Sequence, residues 1–182
     1  MRRSLMQYIH YYSSPLGRLL LSADEKGLTG TWFEGQKYYA YQLDPEHTEK
    51  SPPVFVQADR WLDLYFSGKE PDFTLPLHVT GTVFQLAVWK ILQRIPYGKT
   101  ITYGEIAQQV AAQKGLLQMS PQAVGSAVGH NKLSVIIPCH RVVGKNGSLT
   151  GYAGGLDRKI KLLTLERADT KAFFIPKKGT AL

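Results

Sequence analysis

Cysteine is almost missing from this chain: Cys139 is the only one in 182 residues. A lone cysteine cannot close an intramolecular disulfide, and the usual metal cages need several thiolates or histidines together. No metal site is therefore expected. Long apolar runs are missing too, and none approaches the length that spans a bilayer. The start, Met1-Arg2-Arg3-Ser4-Leu5-Met6-Gln7-Tyr8, lacks the apolar core of a signal peptide. With one cysteine and no export signal, a reducing cytoplasm and no membrane partner are expected.

Acid is scarce in the second half. Residues 1–81 carry eight Lys/Arg against ten Asp/Glu, whereas residues 82–168 carry eleven against three, a net of +8. Residues 169–182 add three against one, which closes the formal total of +8. A generally basic surface would not divide this way. A cationic half containing the lone cysteine suits a polyanion-binding domain.

The organisation expected is α+β, with an amino-terminal α/β domain over 1–81, a mostly helical domain over 82–168 and a basic tail over 169–182. Met6–Tyr12, Leu16–Ser22 and Leu28–Phe33 are β-rich runs between turn-forming segments. Tyr38–Glu49, polar and rich in tyrosine, reads as a poorly packed helix or loop. Ser51-Pro52-Pro53 opens a helix that places Phe55, Ala58, Leu62 and Tyr65 on one face and stops at Ser67-Gly68. Asp72–Val79 reads as an edge strand or linker because of Pro71 and Pro76.

Gly81 marks a change of style. Thr82 and Gln85 form one capping box, Thr102 and Glu105 a second. Phe84, Val88, Ile91 and Ile95 line the first of these helices, which Pro96-Tyr97-Gly98 should end. Tyr103, Ile106, Ala107, Val110 and Ala111 make the stripe of a packed second helix. A third opens at Ser120-Pro121 and is slender, with Ala123, Gly125, Ser126, Ala127 and Gly129. Interior glycines cost roughly 1 kcal/mol each against alanine, so either tight helix packing or the approach of a backbone ligand has to offset them. The last two helices resemble a helix-turn-helix, although their connection over Ala112–Met119 is longer than the usual turn. Leu133–Ile137 has the pattern of a buried strand, extended again at Val142-Val143, with a turn at Lys145-Asn146-Gly147. Gly151-Tyr152-Ala153-Gly154-Gly155 reads as a loop or a pocket lining. A last helix over about Leu156–Arg167 should bury Leu156, Ile160, Leu162 and Leu163, with Glu166 as a solvated helix-end acid.

The chemistry centres on Pro138-Cys139-His140-Arg141-Val142. Cys139 is either a small buried hydrophobe or a reactive thiol. An adjacent imidazole and a permanent cation both favour thiolate, the nucleophilic form.

This segment, with Asn131 eight positions before Cys139, resembles the active site of the O6-alkylguanine-DNA alkyltransferases, also called methylated-DNA–protein-cysteine methyltransferases. Similar to the same family are Thr82…Phe84-Gln85…Val88-Trp89, Ile95-Pro96-Tyr97-Gly98…Thr102-Tyr103-Gly104 and Gly151-Tyr152-Ala153-Gly154-Gly155-Leu156. The resemblance runs from about Leu62 to Glu166 and extends only loosely to the amino-terminal part. It implies a ribonuclease H-like first domain and a winged-helix-like second domain. It further implies a monomer that binds duplex DNA, flips an O6-alkylguanine, or O4-alkylthymine, out of the stack, and takes the alkyl group irreversibly without a cofactor. Under it Cys139 is the acceptor, His140 a base acting through water, Glu166 its polarising partner and Asn131 the brace of the segment. Tyr103 presses on the target phosphate and donates to the flipped base. The carbonyls of Val142 and Cys139 and the Tyr152-Ala153 loop hold the base edge, with Lys159 nearby. Gln122, Ala123, Ser126, Arg141 and Lys145 face the DNA.

Three departures stand out. Gln122 occupies the place where much of the family has an arginine finger, Ala153 stands where some members have serine, and the cysteines that bind zinc in some amino-terminal domains are missing. The competing classes are a non-catalytic binder of alkylated DNA, a cysteine hydrolase and a helix-turn-helix regulator.

Overall fold

The computed structural model describes residues 5–177. Met1–Ser4 and Lys178, which belong to the signal and tail readings, lie outside the described residues. The chain divides into two compact units. One comprises the chain up to Thr80 together with Lys132–Ser134; the other comprises Gly81–Asn131 and the chain from Val135 onward.

In the first unit, β1 (Gln7–Ser14), β2 (Gly17–Asp24) and β3 (Gly27–Phe33) form an antiparallel meander. Two-residue turns connect them, which is why the β-rich runs were legible. β4 (His47–Glu49) then pairs parallel with β1, giving the order β3-β2-β1-β4. This short edge strand corrects the reading of Tyr38–Glu49 as helix or loop; three polar residues carry no alternating signal. Ala40 and Leu43, in the preceding turns, pack on Ile9, Leu20 and Trp32.

α1 (Pro53–Phe66) begins with proline in its first turn and buries Phe55, Ala58, Leu62 and Tyr65, the face expected. It is tied to β1 through His10–Asp59 at 2.9 Å and Tyr12–Asp63 at 2.7 Å. Asp72–Val79 is a linker touching the sheet at one bridge, Leu28 with Leu77. The Lys132–Ser134 segment adds a second bridge, Thr31 with Leu133. Leu133–Ile137 is therefore not a strand: beyond the bridge, Ser134–Ile136 turns and Val135 takes φ +72°. A buried apolar run does not by periodicity reveal its backbone shape.

The second unit is helical. α2 (Val83–Leu92) and α3 (Tyr103–Lys114) each start with both halves of a capping box in place. α2 ends four residues before Pro96, because Arg94 and Ile95 tighten onto the Ile91 and Leu92 carbonyls, three residues back, and the residue before a proline avoids helix. α3 closes on Gly115, and α4 (Pro121–Gly129) follows after a six-residue connection, Gly115–Ser120. The Trp89 indole donates to the Ala127 carbonyl at 2.7 Å and ties α2 to α4. β5 (Ile101–Thr102) and β6 (Val142–Val143) make a short parallel ladder. α5 (Leu156–Leu165) buries Lys159, Leu162 and Leu163, while Leu156 and Ile160 are only half-buried. Among the described residues, no helix is long and apolar enough to cross a membrane.

Candidate functional site

The ladder between β5 and β6 assembles the site. It pairs Thr102, the cap of α3, with Val143, so the first residue of α3, Tyr103, comes to the segment that follows Cys139. Pro138 ends the preceding turn, and Cys139–Arg141 forms one turn of 3₁₀ helix whose Arg141 amide bonds the Pro138 carbonyl at 3.0 Å. α5 packs against this turn and brings Glu166, the residue that caps its C-terminal end, beneath it.

Glu166 is not the solvated acid that its position suggests. It is 2% exposed and collects four donors. His140 Nε2 lies 2.6 Å from one oxygen, Arg141 contributes Nε at 2.9 Å and an Nη at 3.0 Å, and the Gly98 amide donates at 3.1 Å. Gly98 is required in that turn: φ is +73°, and a Cβ would stand 2.9 Å from the Glu166 carbonyl. Arg141 also donates to the Ile95 carbonyl at 2.6 Å. Its guanidinium is therefore engaged inside the unit.

Around the sulfur, the Asn131 amide donates to the Ile137 carbonyl at 2.9 Å and to Cys139 Sγ at 3.2 Å. Lys159 is fully buried and directs its ammonium at the carbonyls of Val142, Thr150 and Gly151, at 2.5, 3.0 and 3.2 Å. The Tyr103 hydroxyl reaches the last two of these carbonyls at 3.2 and 3.4 Å. Tyr152 sets its ring edge-on to His140, with centroids 6.4 Å apart, and its buried hydroxyl has no hydrogen-bond partner among the described residues.

The electrostatics revise the expectation of a resting thiolate. Burial pushes the Cys139 thiol above its ordinary value, against the Asn131 hydrogen bond, the Lys159 charge and two backbone amides. Burial likewise lowers His140, despite Glu166, so the imidazole rests neutral. Burial pushes Glu166 upward, but the hydrogen bonds and charges of His140 and Arg141 outweigh it and bring the acid down to about 2. Lys159 is lowered by burial to about 8 and remains the cation that acts on the sulfur. Tyr103 is raised to about 12, first by burial and then by Cys139. A thiol beside a neutral imidazole can pass its proton on when an electrophile arrives, and a phenol raised this far stays a hydrogen-bond donor.

Away from the sulfur, Gln122, Ala123 and Ser126 are exposed on one face of α4, and Lys145 is exposed on its turn. Ala153 is half-buried in the loop before α5. A Cβ on Gly125 would meet the Tyr103 ring only at 3.8 Å, an ordinary contact, so packing within the unit does not demand a glycine there. Sequence reasoning missed the bracing role of Ile95 and Gly98 and the charge that Lys159 supplies. The Pro96-Tyr97-Gly98 turn was the available signal for the first; nothing local marked the second.

Fold and site together define an α+β protein whose helical unit combines a helix-turn-helix with a buried cysteine and, next to it in the chain, a buried His-Arg-Glu network. The profile of the 6-O-methylguanine DNA methyltransferase DNA binding domain matches residues 83–168, and that of the ribonuclease-like domain of the same methyltransferase matches residues 7–79. A methylated-DNA–protein-cysteine methyltransferase of Mycolicibacterium paratuberculosis is 43% identical over 161 residues, 87% of this chain and 92% of that protein. The Haemophilus influenzae protein of the same name is 42% identical, over 88% and 86%. The crystal structure of Mycobacterium tuberculosis OGT in complex with DNA superimposes with a TM-score of 0.76 at 41% identity, covering 88% of this chain and 92% of that one. The chain belongs to the 6-O-methylguanine DNA methyltransferase family.

Proposed function

We propose that this protein repairs duplex DNA by moving the alkyl group of an O6-alkylguanine onto Cys139, once per molecule. The exposed small-residue face of α4 lies along the DNA, and Gln122 fills the gap left when the lesion is flipped out, at a cost of a few kcal/mol. The alkyl carbon on O6 is a soft electrophile suited to in-line attack by sulfur. As the S–C bond forms and the C–O6 bond breaks, the thiol proton passes through water to His140, whose imidazolium Glu166 stabilises. The bond electrons return to guanine, which Tyr103 steadies by donating to a ring nitrogen. The thioether product has no easy route back to thiol, so the protein is consumed and no cofactor is needed.

The observation that carries this reading is the buried pairing of His140 and Arg141, the two residues that follow the only cysteine, with Glu166, at 2.6 and 2.9 Å. The test is intact mass after incubation with an oligonucleotide duplex containing O6-methylguanine. One methyl group per chain on Cys139, then no further reaction, is expected. Cys139→Ser should keep DNA binding and lose the gain. Repeated turnover would indicate a hydrolase, and binding without any gain a non-catalytic lesion binder; either overturns the proposal. Binding should weaken as salt rises, because phosphate contacts release counterions.

A further inference from the structure

The match to the DNA binding domain stops at residue 168, yet the chain beyond it makes ordered contacts with a segment next to the site. After α5, Arg167 takes φ +56° and the Ala168 amide returns to the Leu163 carbonyl at 3.0 Å, which reverses the chain. The Leu149 amide then donates to the Phe174 carbonyl at 2.8 Å, and the Phe174 amide to the Gly147 carbonyl at 3.2 Å. Phe173 packs on the cluster of Val143, Leu149, Leu163 and Ala168. Gly147 has φ +85°, and a Cβ there would run into the Ala172 carbonyl, so the two backbones approach as closely as a glycine allows. Thr150 and Gly151 follow at once. Their carbonyls receive the Lys159 ammonium and the Tyr103 hydroxyl, and Tyr152 comes next, beside His140.

We infer that Ala172–Phe174 is a positioning strap: by pinning Gly147–Leu149 it holds the Thr150–Tyr152 lip in register with Tyr103 and Lys159. The strap touches no reacting atom. It acts through the lip, and its kinetic consequence rests on the alkyl-transfer reading above. Without the strap, the segment before the lip keeps the Gly144 amide on the Ser148 carbonyl at 2.6 Å, and the lip itself keeps Lys159 and Tyr103. Small misplacement of a positioning group can cost about a hundredfold in rate, so a strap of two hydrogen bonds and one half-buried ring has leverage on the chemistry.

The experiment compares the full chain with a chain ended after Asp169 and with Phe173→Ala, which keeps the backbone bonds and removes the half-buried ring. Amide hydrogen exchange over residues 148–153 is expected to speed up about tenfold or more in the shortened chain, and by less in Phe173→Ala. Single-turnover transfer from free O6-benzylguanine and from an O6-methylguanine duplex should slow about tenfold. The endpoint should stay at one alkyl group per chain, because the endpoint counts folded molecules and the rate constant reads the site. Affinity for undamaged duplex, measured in the Cys139→Ser background, should stay within about twofold of the full chain, since the strap bears on the lip and not on α4. Unchanged exchange in the loop overturns the proposal. So does a lower endpoint with an unchanged rate constant, which would show that the tail supports only the fold. If the full chain itself takes up no alkyl group, the repair reading fails, while the exchange measurement still decides the strap.

Discussion

Replacing Glu166 by Gln tests the buried network with a magnitude attached. The carboxylate accepts from His140, twice from Arg141 and once from the Gly98 amide. Although burial alone raises this acid, its partners lower it from 4.5 to about 2. A folded-state value below the unfolded one means that stabilisation is fully present above pH 4.5 and is lost as pH falls through about 2. At about 1.4 kcal/mol per unit the shift is worth roughly 3 kcal/mol near neutral pH. The amide keeps the shape but leaves the Arg141 guanidinium as an uncompensated charge, a loss of about 3–5 kcal/mol for buried pairs of this kind. The two routes agree in size. Urea unfolding followed by tryptophan fluorescence should show the wild type ahead of Glu166→Gln by that amount at about pH 7. The gap should narrow by roughly 2 kcal/mol at about pH 3, where the wild-type carboxyl has begun to protonate in the unfolded chain but not in the folded one. A gap that stays constant or widens toward acid would refute the reasoning, because it would place the effect in packing and not in charge.

Asn131→Ala removes the donor to Cys139 Sγ and strands the Ile137 carbonyl, so it should cost about 1–3 kcal/mol and shift the pH profile of iodoacetamide alkylation upward. An unmoved profile would show that the Asn131 contact does not reach the thiol. Lys159→Met should shift the same profile in the same direction and slow alkyl transfer, since it deletes the cation that lowers the thiol. Gln122→Arg adds a charge on the exposed face of α4; it should tighten duplex binding, with about one more counterion released, or speed repair. No gain in either affinity or single-turnover rate would remove the idea that glutamine is a weaker finger.

The local signals that proved legible were those with a local cause. The boxes Thr82–Gln85 and Thr102–Glu105 satisfy backbone donors within one turn, and the face of α1 repeats at helical spacing. β4 was not legible, because a three-residue polar edge strand exists only through its parallel partner β1. The bend at Val135 was hidden for a related reason: burial selects apolar residues whether the backbone is extended or turned.

The site divides in the same way. Reading residues alone gave a lone cysteine beside two bases, and a resemblance supplied Asn131, Tyr103 and Glu166. What those groups do to one another follows from distance and burial, which a linear chain does not carry. His140 and Arg141 sit next to Cys139 in sequence, yet their polar atoms turn to Glu166, 26 and 25 residues away. The charge that acts on the sulfur comes from Lys159, on α5. By itself the sequence determined which residue types were at hand, where most helices begin and which half of the chain is cationic. Only the tertiary structure decided that the thiol rests protonated, because the loss of water around it outweighs every neighbour that would ionise it.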